Sequence, residues 1–282
     1  MEIKDFDSSD PAAWCPGCGN FGIQAALKSA LAKLGKKPNE LLLVSGIGQA
    51  AKMPHYINAG FFNGLHGRAL PAAAGAKIAN RELTVIVTTG DGDCYGEGGN
   101  HFIHNIRRNV DLTVIVHDNQ IYGLTKGQAS PTSEPGMKTK IQPGGVILAP
   151  FPPLETALAL GCGFVARGYA AEREHLAELI LAGIDHKGFS LIDVLQPCVS
   201  FNKLNTYDWY SKRIYKAGAA HDVSDKAAAM ALAAEREKLP IGVLYRKPKP
   251  SYGELSGLDE MKPLAALAIE NVDITPVLAD FR

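Results

Sequence analysis

The chain lacks an excess of charge of either sign. Its 29 lysines and arginines balance 29 aspartates and glutamates, so there is no net basic footprint of the kind that nucleic-acid binders present to phosphate. No apolar run comes near the ~20 residues that cross a bilayer. The opening Met1-Glu2-Ile3-Lys4-Asp5-Phe6-Asp7 is too acidic and polar for a secretory leader. Cysteine is sparse and odd in number, five in 282 residues. That argues against a disulfide framework and for a reducing, cytoplasmic setting. Two nucleotide motifs are missing as well. No G-x-x-x-x-G-K-[ST] occurs, which excludes a P-loop. Gly46-Ile47-Gly48-Gln49-Ala50-Ala51 fits G-x-G-x-x-A, but no acidic residue stands between Glu40 and Glu82 to hold a ribose, so a dinucleotide site is excluded too. These absences exclude membrane, secreted and nucleic-acid classes and leave a soluble enzyme, with 46% hydrophobic residues to build a large core.

Glycine is plentiful and clustered: Gly17-Cys18-Gly19, Gly46-Ile47-Gly48, His66-Gly67-Arg68, Gly90-Asp91-Gly92-Asp93 and Gly96 to Gly99. Each cluster punctuates a hydrophobic segment. Helical spacing runs over Phe21–Leu34, Ala69–Asn80 (with Pro71 in the first turn), Asn100–Arg108, Leu154–Leu160 and Glu172–Ile184. Short apolar or β-branched runs at Leu41–Val44, Leu83–Thr88, Leu112–Val116, Phe164–Ala166 and Ser190–Val194 read as strands. Strands apolar throughout, alternating with helices, predict an α/β fold with a doubly wound parallel sheet covered on both faces. Residues 127–153 are rich in proline and lack periodicity, and so predict a long functional loop. The domain is expected to end near residue 205. Beyond it, Ser224–Lys238 reads as a helix with Ser224 as its N-cap, and Lys247-Pro248-Lys249-Pro250 as a linker. Residues 206–282 then form a C-terminal extension, either packed on the domain or reaching a partner subunit.

Two strand ends carry the strongest chemical signal. Gly90-Asp91-Gly92-Asp93 follows one strand and Asp118-Asn119 the next. Ligands of open parallel sheets gather beyond the carboxyl ends of the strands, so these turns should converge. Glycine lets the backbone approach a diphosphate, and one carboxylate with an amide oxygen suits Mg²⁺, which keeps positions for phosphate and water. Asp91 and Asn119 are the candidate ligands, with a backbone carbonyl near Ile121 as a third. Cys15 and Cys18 form C-x-x-C in a Pro/Gly-rich turn and Cys198 ends a strand. Thiolates on loops suit an iron–sulfur cluster or, alternatively, a structural zinc ion. Cys94 and Cys162 read as small buried side chains.

The strand-end Gly-Asp-Gly followed by Asn resembles the thiamine diphosphate motif. Trp14-Cys15-Pro16-Gly17-Cys18-Gly19, Ser45-Gly46-Ile47-Gly48, Leu65-His66-Gly67-Arg68-Ala69, Gly90 to Asp93, His117 to Lys126 and Gln196-Pro197-Cys198 are, in order, similar to the β subunit of 2-oxoacid:ferredoxin oxidoreductases. The resemblance covers residues 12–205. It implies a diphosphate-domain fold binding thiamine diphosphate and Mg²⁺, the metal held by Asp91, Asn119 and Ile121. Ile47, Gly48, His66, Gly92, Asp93, Gly123 and Leu124 would line the cofactor. His66 would orient the diphosphate or the reacting groups, Lys52 would meet a substrate carboxylate, and Lys126 would contribute to coenzyme A binding. The family pattern also implies a [4Fe–4S] cluster on four cysteines. Here Cys15, Cys18 and Cys198 match, while Gln49 stands at the fourth position. Gln49, His55, water or a partner group could replace the missing thiolate.

The implied activity converts a 2-oxoacid, coenzyme A and oxidised ferredoxin into acyl-CoA, CO₂ and reduced ferredoxin, reversibly. The implied partners are ferredoxin and an α subunit carrying the pyrimidine-binding domain and the catalytic glutamate, without which this chain is inactive. Two other readings are a subunit of a non-oxidative thiamine-dependent decarboxylase, which needs no cluster, and a non-catalytic binding subunit stapled by zinc.

Overall fold

Runs of leucine and β-branched residues, buried on both faces, set the architecture. The computed structural model describes residues 1–218, 220–267 and 273–281. Its strands are β1 (Leu41–Ser45), β2 (Gly60–Asn63), β3 (Thr84–Gly90), β4 (Leu112–Asp118), β5 (Ile121–Tyr122), β6 (Gln128–Ala129), β7 (Phe164–Tyr169), β8 (Phe189–Leu195), β9 (Ile214–Lys216) and β10 (Leu239–Arg246). Eight of them form one sheet in the order β2-β1-β3-β4-β8-β7-β10-β9, while β5 and β6 make a small antiparallel hairpin. From β2 to β7 every pairing is parallel; β10 runs antiparallel to β7.

Period-two alternation distributes the strand side chains between two cores. Val85 and Val87 of β3 and Val114 and Val116 of β4 enter one core, whereas Ile86 and Ile115 enter the other. The first core is closed by α2 (Ala69–Ala79), α3 (Gly99–Arg108) and α4 (Pro153–Ala159), through residues such as Leu70, Phe102 and Leu158. The second is closed by α1 (Asn20–Leu34) and α5 (Arg173–Asp185), through Ile23, Leu27, Leu176 and Ile180. This is the doubly covered α/β sheet that the apolar strands predict. Cys94 and Cys162 are buried within the first core as small side chains, and burial pushes the Cys162 thiol up to about 11.

The structure departs from the sequence expectations toward the C-terminus. After α6 (Tyr207–Ser211), β9 and β10 complete the far edge of the sheet, so the sheet runs past the boundary expected at residue 205. Pro240 and Gly242 interrupt the apolar pattern of β10 and hide it; proline is tolerated there because Pro240 lies near the start of the strand, before the pairing with β7 begins at Gly242. The helix expected over 224–238 is the shorter α7 (Lys226–Ala233). Its N-cap is Asp225, not Ser224. Asp225 Oδ1 accepts from the Ala227 and Ala228 amides, while Ser224 bonds Asp222. Short helices α8 (Tyr252–Leu255) and α9 (Thr275–Ala279) follow. Residues 219, 268–272 and 282 of the expected extension lie outside the described residues. No helix among the described residues is long and apolar enough to cross a membrane.

Candidate functional site

Parallel pairing brings the carboxyl ends of β1, β3, β4 and β8 to one edge of the sheet, and the glycine-rich turns that follow them meet there. One cleft of about 90 Å³ is lined by Ile47, Gly48, His66, Asp91, Gly92, Asp93, Asn119, Ile121, Gly123 and Leu124. The sequence selects these residues from separate motifs, and the fold places them together.

Asp93 ties the cleft's walls to one another. Its Oδ1 accepts from the backbone amides of Ile47 (3.0 Å) and Gly67 (2.8 Å) and lies 2.7 Å from His66 Nδ1; its Oδ2 accepts from the Thr89 hydroxyl at 2.7 Å. The carboxylate is almost fully buried, and a Cβ at Gly46 would lie 2.0 Å from Oδ2, so Gly46 must remain glycine for the turn to close over it. With Nδ1–H bound to Asp93, His66 keeps Nε2 free for a ligand. Glu97 lies 3.5 Å from the same Nδ1 and also accepts from the Tyr122 hydroxyl. The Tyr122 ring sits on the Gly-Asp-Gly turn: a Cβ at Gly92 would be 2.2 Å from it. From Gly92 to Glu97 the chain forms one widened helical turn, with the Gly98 amide reaching back five residues to the Asp93 carbonyl, a device common at functional sites.

The candidate metal ligands are supported from behind by the long loop. Thr132 Oγ1 lies 2.6 Å from Asp91 Oδ2 and 2.7 Å from Asp118 Oδ1, and Ser133 Oγ donates to the Gln120 carbonyl. Asn119 Oδ1 accepts from the Ile121 amide at 3.0 Å, and Asn202 Nδ2 holds the Asn119 carbonyl. Burial pushes the Asp91, Asp118 and Asp193 carboxyls upward, Asp193 to about 6. The buried Arg167 guanidinium opposes part of the charge on Asp118 and Asp193, and Asp91 is the one of the three that lines the cleft, where a carboxylate fits a dication. Sequence reasoning missed Thr132, Tyr122 and Glu97. The proline-rich loop hinted at the first; Tyr122 and Glu97 fall within the marked segments His117 to Lys126 and Gly96 to Gly99, but nothing in the sequence gave either a role.

The cysteines gather beside this cleft. Cys15, Cys18 and Cys198 line one cavity together with Trp14, Gln49 and Gln196. The C-x-x-C turn is docked by the Cys18 amide on the Cys15 carbonyl, by the Gly19 amide on the Pro197 carbonyl, and by Tyr207 Oη on the Gly17 carbonyl. Asn20 Oδ1, at the start of α1, lies 2.8 Å from Nδ1 of His117, which burial pushes down to about 3 and so keeps neutral. Among the described residues no three His, Cys, Asp or Glu side chains gather around a single point as one metal ion requires. Cys15 is exposed, whereas burial pushes the Cys18 thiol up to about 11 and Cys94 well above the ordinary thiol range. In cluster-free protein, iodoacetamide is therefore expected to modify Cys15 at least ~10-fold faster than Cys94 or Cys162, read by peptide mass mapping. Equal rates would mean that the sheet does not shield the two core thiols.

Lys52, Lys126 and His55 stand outside both cavities. Lys52 Nζ is 3.5 Å from the Ala13 carbonyl. Lys126 is exposed, at the tip of the β5–β6 hairpin in left-handed backbone (φ 75°). His55 is exposed and packs edge-on against Phe61.

Comparison with known proteins places the fold in a family. Residues 44–194 match the thiamine pyrophosphate enzyme C-terminal TPP-binding domain, and residues 198–258 match the C-terminal part of the pyruvate ferredoxin oxidoreductase β subunit. The chain is 47% identical to the 2-oxoacid:ferredoxin oxidoreductase subunit β of Saccharolobus solfataricus, over 83% of this chain and 81% of that protein. It is 40% identical to the 2-oxoglutarate synthase subunit KorB of Archaeoglobus fulgidus, over 70% of this chain and 74% of that protein. The solved 2-oxoglutarate:ferredoxin oxidoreductase of Magnetococcus marinus, with 2-oxoglutarate, coenzyme A and succinyl-CoA bound, superposes with a TM-score of 0.93 at 38% identity, covering 100% of this chain and 96% of that one. The chain belongs to the β subunits of the 2-oxoacid:ferredoxin oxidoreductases, built on a thiamine pyrophosphate-binding domain.

Proposed function

We propose that this chain is the diphosphate-binding, electron-exporting half of an enzyme that oxidatively decarboxylates a 2-oxoacid, passing the acyl group to coenzyme A and the electrons to ferredoxin. The carrying observation is adjacency. The cleft of Asp91, Asn119 and His66 and the cavity of three cysteines share Gln49, Asn119 and Gly123 as a common wall. A non-oxidative decarboxylase has no use for thiols beside its cofactor. A zinc staple needs its ligands drawn around one point, whereas a cubane cluster spreads them over several irons.

Thiamine diphosphate, when bound, supplies the carbanion stabilisation that lets a 2-oxoacid lose CO₂. In this reading Asp91, Asn119 and the Ile121 carbonyl hold Mg²⁺. Ile47, Gly48, Gly92, Gly123 and Leu124 line the diphosphate, while Asp93 fixes His66 with Nε2 toward the reacting groups. Cys15, Cys18 and Cys198 hold a [4Fe–4S] cluster in a reducing compartment such as the cytoplasm. Lys52 meets a substrate carboxylate, which favours a dicarboxylate such as 2-oxoglutarate, and Lys126 contributes to coenzyme A binding.

An α subunit bearing the pyrimidine-binding domain and the catalytic glutamate completes the site. The cleft's ~90 Å³ falls short of the roughly 300–1,000 Å³ of cofactor-sized sites. In the segment that leads to His66, Phe61, Phe62 and Leu65 are 51%, 51% and 76% exposed, apolar side chains that a partner would cover.

The test is to purify the chain anaerobically with and without its partner and follow ferredoxin reduction by 2-oxoglutarate or pyruvate. Reduction that requires coenzyme A, and is absent from the isolated chain, is the expected result. CO₂ release without electron transfer would favour the decarboxylase. Turnover by the isolated chain would place the glutamate here.

A further inference from the structure

We propose that Gln49 occupies the fourth corner of the iron–sulfur site, so that the iron nearest the cofactor cleft is held by a neutral amide oxygen instead of a thiolate. The inference rests on the cluster reading above and concerns the one position where this chain departs from a four-cysteine pattern. Gln49 follows the Gly46-Ile47-Gly48 turn and lines the cysteine cavity and the cofactor cleft alike. Its backbone is fixed at that place, since the Gln49 carbonyl accepts from Trp14 Nε1 at 2.9 Å, one residue before Cys15. Its side-chain Oε1 is buried and without a hydrogen-bond partner. An amide oxygen desolvated without a donor is a costly arrangement, and a cation bound to it removes the cost.

The other protein candidates are placed differently. His55 is exposed against Phe61 and lines neither cavity. Gln196 also lines the cysteine cavity with an unpartnered Oε1, but its Nε2 lies 3.5 Å from the Cys18 sulfur. Gln196 therefore acts as an amide donor to a thiolate, which adjusts a cluster without ligating it.

Two consequences follow from the chemistry. Exchanging one anionic thiolate for a neutral oxygen makes the cluster less negative and raises its reduction potential. Oxygen is also a harder ligand than the sulfide environment favours, so that iron is the first to leave. With ferricyanide as oxidant, the [4Fe–4S]²⁺ form loses Fe²⁺ and gives one electron to ferricyanide, leaving [3Fe–4S]⁺. Added Fe²⁺ with a reductant reverses the step.

The experiment uses the anaerobically purified complex with its partner subunit. It measures iron and sulfide per chain, the electron paramagnetic resonance spectrum and the cluster's midpoint potential, with thiamine diphosphate binding as the check that each variant is folded. Wild type should hold about four irons and fall to three on one equivalent of ferricyanide. Gln49→Cys should keep all four under the same treatment and have a lower midpoint potential. Gln49→Ala should bind the fourth iron at least ~10-fold more weakly, while Gln196→Ala should retain it. A four-iron cluster unaltered in Gln49→Ala would overturn the assignment, as would loss of the fourth iron in Gln196→Ala alone. A folded, cofactor-binding complex with no iron or sulfide would overturn the cluster reading itself, and this inference with it.

Discussion

Asp91→Asn is expected to leave the protein folded and to weaken Mg²⁺-dependent thiamine diphosphate binding by at least about 100-fold. Of the three proposed ligands only Asp91 brings a charge, because Asn119 and the Ile121 carbonyl are neutral. Without it the protein supplies only neutral oxygens to the dication, and the anionic ligands are left to the diphosphate alone. The carboxyl is buried and its charged form is disfavoured there, so an amide of the same shape is well tolerated by the surroundings. The substitution therefore separates fold from function, which a mutation with a large structural cost cannot do. Titration calorimetry with thiamine diphosphate at fixed Mg²⁺, beside a thermal melt, reads both. Thr132→Val gives the graded companion. It removes the hydroxyl standing between Asp91 and Asp118, and orienting groups of that kind are worth about 10- to 100-fold in metal affinity. Unchanged binding in Asp91→Asn would place the metal elsewhere.

The central sheet and its chemistry were legible because burial on both faces leaves continuous apolar strands, and because turns at strand ends must keep glycine where chain meets chain. Gly46, with the Asp93 carboxylate at its α-carbon, and Gly92, under the Tyr122 ring, are requirements of close approach that surface in the sequence as short motifs. What stayed hidden lacks such a local signature. β2 is a four-residue edge strand with every residue exposed, so it carries no hydrophobic pattern. β10 carries Pro240 and Gly242. Thr132 reaches Asp91 across 41 residues of sequence, and Glu97 reaches Tyr122 across 25. Such pairings are properties of the folded loops alone. Gln49 is the intermediate case. The sequence marks it as a departure, and only the cavity it lines, with its unpartnered oxygen, suggests what the departure does.

Asp93→Ala is expected to destabilise the fold by about 3 kcal/mol or more, while Asp93→Asn should cost about 1 kcal/mol. The carboxylate stands among four donors drawn from two separate turns and the end of β3: the amides of Ile47 and Gly67, the His66 ring and the Thr89 hydroxyl. Alanine leaves the buried Gly67 amide and the half-buried Ile47 amide without an acceptor, and unsatisfied donors are penalised at about 1–3 kcal/mol each. Asparagine can keep its oxygen toward Ile47, Gly67 and His66 and turn its amide nitrogen to Thr89, whose hydroxyl then accepts. Only the charge assistance is lost. Denaturant unfolding gives the two stabilities, and cofactor affinity gives the site's response. Both should fall in the order wild type, Asn, Ala, because the same hydrogen bonds that hold the turns also hold the His66 tautomer. If alanine proves as stable as wild type, water has replaced the carboxylate, and the walls of the cleft are held by the sheet alone.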